Sequence, residues 1–207
     1  MKVLLLNGSP HQNGCTYQAL KHVADVLENE GIEAEIVWIG PKPIRGCFAC
    51  GGCSGTEKCL FDDDIVNDIA DKAITADGLI IGSPVYYAGM NGTLSSLLDR
   101  LFFSAGKHFR YKPAAAVVSA RRAGTTTALD EIEKYFTISE MPVVSSSYWT
   151  MVHGANPEDV EKDREGLQVM ENLARNMAWM LRCIEAGRNA GILPPENTYT
   201  ERTNFIR

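Results

Sequence analysis

Four of the six cysteines stand close together in the run Cys47-Phe48-Ala49-Cys50-Gly51-Gly52-Cys53-Ser54-Gly55-Thr56-Glu57-Lys58-Cys59. The spacing C-x2-C-x2-C-x5-C puts four thiols within reach of one metal cluster, and Gly51-Gly52 lets the backbone wrap tightly. It differs from the bacterial ferredoxin run, whose last gap is three residues and whose last cysteine precedes proline. Four thiolates would also satisfy tetrahedral zinc, although gaps of two residues suit a cluster better. Ordinary reduced thiols are the third reading. Cys15 stands where a helix begins, a place that can lower a thiol pKa, but a loop filler is the favoured reading. Cys183 lies in the long final helix and reads as packing.

Three further stretches carry polar chemistry next to buried strands. Gly8-Ser9-Pro10-His11-Gln12-Asn13-Gly14-Cys15-Thr16 joins a strand to a helix and is dense in hydroxyls, amides and glycine. Backbone N–H groups at a helix start, backed by the helix dipole, attract an anion. The stretch is neither Gly-x-Gly-x-x-Gly nor a Gly-Lys nucleotide loop, which counts against dinucleotide and ATP binding. Ser83-Pro84-Val85-Tyr86-Tyr87-Ala88-Gly89-Met90-Asn91-Gly92 offers a flat apolar wall. Ser119-Ala120-Arg121-Arg122-Ala123-Gly124-Thr125-Thr126 sets two arginines at a strand end, suited to an anion or the polar edge of a heteroaromatic ring. Lys107, His108, Arg110 and Lys112 form a small basic group, read as a solvated turn before a phosphate site.

Elements alternate along the chain. Residues 2–6 read as the first strand, continuously apolar after Lys2 and stopping at Asn7-Gly8, as in a strand buried on both faces. Thr16, Leu20, Val23, Ala24 and Leu27 recur at helical spacing until Gly31. Residues 33–39 read as the second strand, and Asp62-Asp63-Asp64 caps a helix with Ile65, Ile69 and Ala73 on its apolar face. Residues 78–82 are the third strand, and Leu94, Leu97, Leu98, Leu101 and Phe102 mark the helix after it. Residues 114–119 and 142–147 are expected as strands four and five, separated by a helix carrying Leu129, Ile132 and Phe136. Leu167 through Ile184 stripe a long final helix.

This alternation predicts an α/β fold, a doubly wound five-stranded parallel sheet of flavodoxin-like order 2-1-3-4-5 with helices on both faces. The loops leaving strands one, three and four then meet at one sheet edge. One domain over residues 1–190 with an irregular C-terminal arm over 191–207 is expected. With 207 residues, 45% hydrophobic and 22% charged, the chain buries a core without metal or disulfide staples. A net charge of −6 argues against nucleic acid and anionic membrane as partners. With no signal-peptide pattern or membrane-length apolar run, the expected location is cytoplasmic.

Asn7-Gly8-Ser9-Pro10, Ser83-Pro84-Val85-Tyr86 and Leu98-Asp99-Arg100 together resemble the signature stretches of the flavodoxin-like NAD(P)H-dependent FMN reductases, a likeness that runs to about Trp149. The resemblance implies that Ser9, His11, Asn13, Gly14, Cys15 and Thr16 bind the FMN phosphate. It places the flavin ring on Pro84, Val85, Tyr86 and Tyr87, with Ser119, Arg121, Arg122 and Gly124 closing over its other side. Members often have Arg at the position of His11 and Asn at that of Cys15. The cysteine run resembles that of the iron–sulfur flavoproteins, a branch of the same family. That likeness implies a four-iron four-sulfur cluster on Cys47, Cys50, Cys53 and Cys59.

The implied function is oxidoreduction, with NAD(P)H as donor, FMN as carrier and a quinone, azo, nitro or free flavin acceptor. The alternatives are electron transfer with a ferredoxin-like partner, and a non-catalytic flavin-binding redox sensor. No side chain stands out as a general acid or base. A homodimer or higher homo-oligomer is expected.

Overall fold

The apolar runs become strands whose burial follows their position in the sheet. β1 (Lys2–Asn7), β3 (Gly78–Pro84) and β4 (Ala114–Ala120) are buried along nearly their whole length, whereas β2 (Glu33–Trp38) is only half-buried. In the computed structural model, which describes residues 1–206, these strands and β5 (Met151–His153) pair in parallel in the order β2-β1-β3-β4-β5. The expected flavodoxin-like order is therefore the observed one.

Alternation along the strands sorts the core into two layers, as a side-chain period of two requires. Leu4, Leu6, Leu79, Ile81, Ala116 and Val118 turn to one face. There they meet α2 (Val66–Thr75), α3 (Gly92–Ala105) and α4 (Thr125–Ile138). Val3, Leu5, Ile80 and Val117 turn to the other, against α1 (Cys15–Asn29) and α6 (Arg164–Asn189). A four-residue helix, α5 (Pro157–Val160), links β5 to α6 and buries Val160 in this second layer.

The fifth strand is not where the sequence places it. Residues 142–147 touch β4 only at a bridge between Ala114 and Val143, and the strand proper is Met151–His153, paired to Val118, Ser119 and Ala120. The serines explain the departure. Ser146 Oγ donates to Val169 O at 2.6 Å, and the side chains of Asn172 and Asn176 donate to Ser147 Oγ and Ser145 O. These bonds to α6 draw the segment off the sheet edge before a ladder can continue.

The acidic cap is narrower than expected: Asp64 Oδ1 accepts from the Val66 N–H at 3.1 Å, and Asp62 instead accepts from Asn67 Nδ2 at 2.9 Å. Past Gly191 the described chain forms no helix or strand. Tyr199 and Asn197 hydrogen-bond Glu140 there, and Arg207, the end of the expected arm, lies outside the described residues. Among the described residues no helix is long and apolar enough to cross a membrane.

Candidate functional site

At the carboxyl edge of the sheet a cleft of about 810 Å³ opens between the loops after β1, β3, β4 and β5. Its floor is fixed by Asn7, fully buried at the end of β1. Asn7 Oδ1 accepts from the Ser9 N–H at 3.1 Å and Nδ2 donates to Gln12 O at 3.0 Å, so one side chain shapes the whole loop. Gly8 donates to Gly82 O at 2.8 Å, and a Cβ on Gly8 would stand 2.7 Å from that same oxygen. Only glycine lets the two strand ends approach so closely.

The helix leaving this loop has no capping side chain and no acid in its first turn. Its first N–H groups and the positive end of its dipole are thus left to whatever occupies the cleft, and the chemistry they favour is an anion. Trp38, at the end of β2, closes the side of the loop and donates from Nε1 to Ser9 O at 2.8 Å. Burial pushes the Cys15 thiol up, and its Sγ lies 3.7 Å from Gly154 O. The helix-start lowering that its position suggested does not prevail, and Cys15 stands half-buried in the cleft lining.

Thr16 lines the cleft, but its hydroxyl is already engaged, 2.9 Å from Ser119 Oγ across the buried junction of α1 and β4. That bond joins the first loop to the third. Replacing Thr16 with Val is expected to lower the stability of flavin-free protein by about 1 kcal/mol, the net worth of one such bond. Urea unfolding measures this, and an unchanged midpoint would mean the pair contributes nothing.

Pro84, Val85 and Tyr86 form the apolar wall of the cleft. Behind them Ser83 Oγ accepts from the Asn91 N–H at 2.9 Å, and Asn91 Oδ1 caps α3 by accepting from Thr93 and Leu94. The chain reverses in a two-residue turn: Tyr86 and Gly89 exchange N–H···O bonds of 2.9 Å, with Tyr87 at φ 50° and Ala88 at φ 61°. Positive φ at both central residues is the type I′ geometry. It throws Tyr87 fully into solvent, 107% exposed.

Tyr87 therefore does not line the cleft as expected. It borders a second hollow of about 640 Å³ with Met90, Glu131 and Tyr135. There burial, with Asp99 beside it, pushes the Tyr135 phenol up to about 12.

On the third loop, Ser119, Ala120 and Arg121 line the cleft, whereas Arg122 and Gly124 do not. Arg122 is exposed. Gly124, at φ 91°, is packed beneath the turn, and a Cβ there would come 2.7 Å from Ala88 Cα. Of the remaining expected residues, Ser9, His11, Asn13, Gly14, Cys15 and Thr16 all line the cleft. Sequence reasoning missed Trp38 and the segment 154–157, which covers the cleft after β5. The basic group is dispersed into local bonds. Lys107 and His108 lie by Glu57, Arg110 by Glu140, and Lys112 donates to Ala73 O and Ile74 O at the end of α2.

The cysteine run packs along α3. Cys47 and Cys50 are exposed, Cys53 and Cys59 partly covered, and all are free thiols. Burial, with Cys59, Cys47 and Cys50 nearby, holds the Cys53 thiol above its ordinary range. Among the described residues no three His, Cys, Asp or Glu are grouped closely enough to hold a metal ion. As donors the four thiols suit an iron–sulfur cluster, but segment 47–53 must close for their sulfurs to share one. Cys59 differs from the others: Arg100 Nε donates to its Sγ at 3.2 Å.

The sheet order and the place of the cleft define a flavodoxin-like protein. A family model described as NADPH-dependent FMN reductase matches residues 1–156, and the chain belongs to that family. An iron-sulfur flavoprotein of Methanocaldococcus jannaschii is 33% identical over 193 residues, covering 89% of this chain and 100% of that protein. An FMN-dependent NADPH-azoreductase of Staphylococcus aureus is 31% identical over 117 residues, 56% of this chain and 59% of that one. A solved flavodoxin from the domain Archaea superposes with a TM-score of 0.61 at 15% identity, covering 88% of this chain and 99% of that one. That last likeness is one of fold alone.

Proposed function

We propose that the cleft holds FMN and that the chain is an NAD(P)H-dependent flavin oxidoreductase passing electrons to a small acceptor of quinone, azo, nitro or free flavin type. The observation that carries this reading is the α1 start, uncapped and facing a cleft whose other wall is apolar. The two ends match a terminal phosphate and a flat ring. The N–H groups at the start of α1, with Ser9 and Asn13, would hold the phosphate; Pro84, Val85 and Tyr86 would hold one side of the ring. Arg121, exposed at the rim, suits the ring's polar edge.

When bound, FMN supplies the two-electron chemistry, while the protein orients it and shields it from water. Asn7 and Trp38 fix the phosphate loop, Ser83 and Asn91 fix the ring loop, and Thr16 with Ser119 ties them to β4. Membership in the FMN reductase family and the likeness to an azoreductase support the reading.

Cofactor released by heat is expected to be FMN, because the loop serves one terminal phosphate rather than a pyrophosphate. NADPH or NADH added without oxygen should bleach its visible bands. FAD in the released fraction, or a chain that takes up no flavin, would overturn the proposal.

A second reading is electron transfer through an iron–sulfur cluster on Cys47, Cys50, Cys53 and Cys59 together with the flavin, with a ferredoxin-like partner. The cysteine run itself and the likeness to an iron-sulfur flavoprotein support it. Iron and sulfide analysis of anaerobically purified protein separates the two: iron-free protein with full reductase turnover leaves the simple reductase.

A further inference from the structure

Arg100 occupies a position that ought to be apolar. It sits on α3 between Leu97, Leu98 and Leu101, all fully buried, and its own side chain is 1% exposed. A guanidinium taken out of water costs several kcal/mol unless its donors are met, and a well-packed apolar side chain would often serve stability as well. Here the donors are met, and every acceptor comes from one segment of chain. Nε donates to Cys59 Sγ at 3.2 Å, Nη2 to Phe61 O at 2.8 Å, and Nη1 to Arg45 O at 3.3 Å and to the Asp64 carboxylate. The arginine holds the loop that carries the four thiols and nothing else.

Asn67, 4% exposed at the start of α2, grips the same cysteine from its backbone. Its Oδ1 accepts from the Cys59 N–H at 2.8 Å and its Nδ2 donates to Cys59 O at 3.0 Å. Cys59 is thus fixed at its amide, its carbonyl and its sulfur. Cys53 is held only within its own turn, where its carbonyl accepts from the Thr56 N–H and hydroxyl, and its Sγ has just a 4.0 Å contact to Phe103 O; Cys47 and Cys50 lie exposed.

From this asymmetry we infer that Cys59 is the preset ligand of the cysteine loop, with Arg100 the positioning residue for its sulfur, and that Cys47, Cys50 and Cys53 close onto it when a cluster is loaded. The inference rests on the cluster reading. It also gives Arg100 an electronic consequence. A cationic donor aimed at a ligand sulfur stabilises the reduced cluster, so it raises the reduction potential.

The test uses the full chain with FMN bound, reconstituted without oxygen with ferrous iron and sulfide. Arg100→Gln should load iron at least tenfold more slowly than wild type. Hydrogen exchange at the Cys59 amide should accelerate by a similar factor, while exchange in β1 and β3 and the bound FMN stay unchanged. Arg100→Lys should restore part of the loading but leave the cluster at a lower potential than wild type. Should Arg100→Gln fail to fold, Asn67→Ser removes both backbone bonds to Cys59 without burying a charge, and the same loss of loading is expected.

Wild type that loads iron, with Arg100→Gln or Asn67→Ser loading equally well, overturns the inference and leaves the cluster reading intact. So does an Arg100→Lys cluster of unchanged potential. Wild type that never takes up iron overturns the cluster reading, and this inference with it.

Discussion

Replacing Gly124 with alanine is expected to weaken FMN binding at least tenfold, although Gly124 does not line the cleft. Its φ of 91° lies where a Cβ is strained, at a cost of roughly 1–2 kcal/mol. The added Cβ would also meet Ala88 Cα at 2.7 Å and Val85 Cγ1 at 3.1 Å. The first of these neighbours is backbone and cannot swing aside. Ala88 and Tyr87 already hold positive φ, so the turn has little freedom to yield without breaking its paired bonds between Tyr86 and Gly89.

Overpacking of this kind costs about 1–3 kcal/mol, and relief comes only by moving the Val85-Tyr86 wall. A tenfold change corresponds to about 1.4 kcal/mol, well inside that range. Flavin fluorescence titration reads the affinity and urea unfolding reads the stability. A variant that binds FMN like wild type would show that the wall does not support the ring.

Replacing Asp64 with alanine is expected to destabilise the protein by about 3–5 kcal/mol, the usual loss when one partner of a buried ion pair is removed. Asp64 is the only carboxylate paired with Arg100 among the described residues, and its side chain is 11% exposed. Without it, a buried cation keeps hydrogen bonds to carbonyls and a sulfur but no countercharge. The same carboxylate also accepts from the Val66 N–H at the start of α2, so the helix loses a bond as well. Asp63, one residue earlier and exposed, is the control: its alanine variant should stay within about 0.5 kcal/mol of wild type. Equal urea midpoints for the two variants would mean that Arg100 finds compensation elsewhere.

The sheet could be read from the sequence because its central strands are buried on both faces. Runs such as residues 3–6 and 78–82 have no solvent-facing position to interrupt them. The cleft was legible for the same reason, since sheet order alone brings the loops after β1, β3 and β4 to one edge. What escaped was decided by partners distant in sequence. Residues 142–147 carry strand-forming residues, yet α6 claims their serines through the Val169 carbonyl and the side chains of Asn172 and Asn176.

Trp38 gives no local sign of a site; its place follows from β2 lying beside β1, which brings Nε1 to Ser9 O. Tyr86 and Tyr87 are identical residues in adjacent positions, and only the handedness of the turn sends one to the cleft and the other to solvent. The role of Arg100 was hidden because a single charge in an apolar helix pattern reads as the solvent side, while its partners lie 36 to 55 residues earlier.

The connection from β2 to α2 is far longer than the few residues such crossings ordinarily need, and it is anchored on α3 through Arg100. That anchoring makes the thiol loop a poor candidate for simple excision. A chain shortened there would keep a charged side chain in its interior with every acceptor removed, so the deletion would be tolerated only together with Arg100→Leu. Loop and arginine are one structural unit: neither can be removed alone without leaving the other's hydrogen bonds unmet.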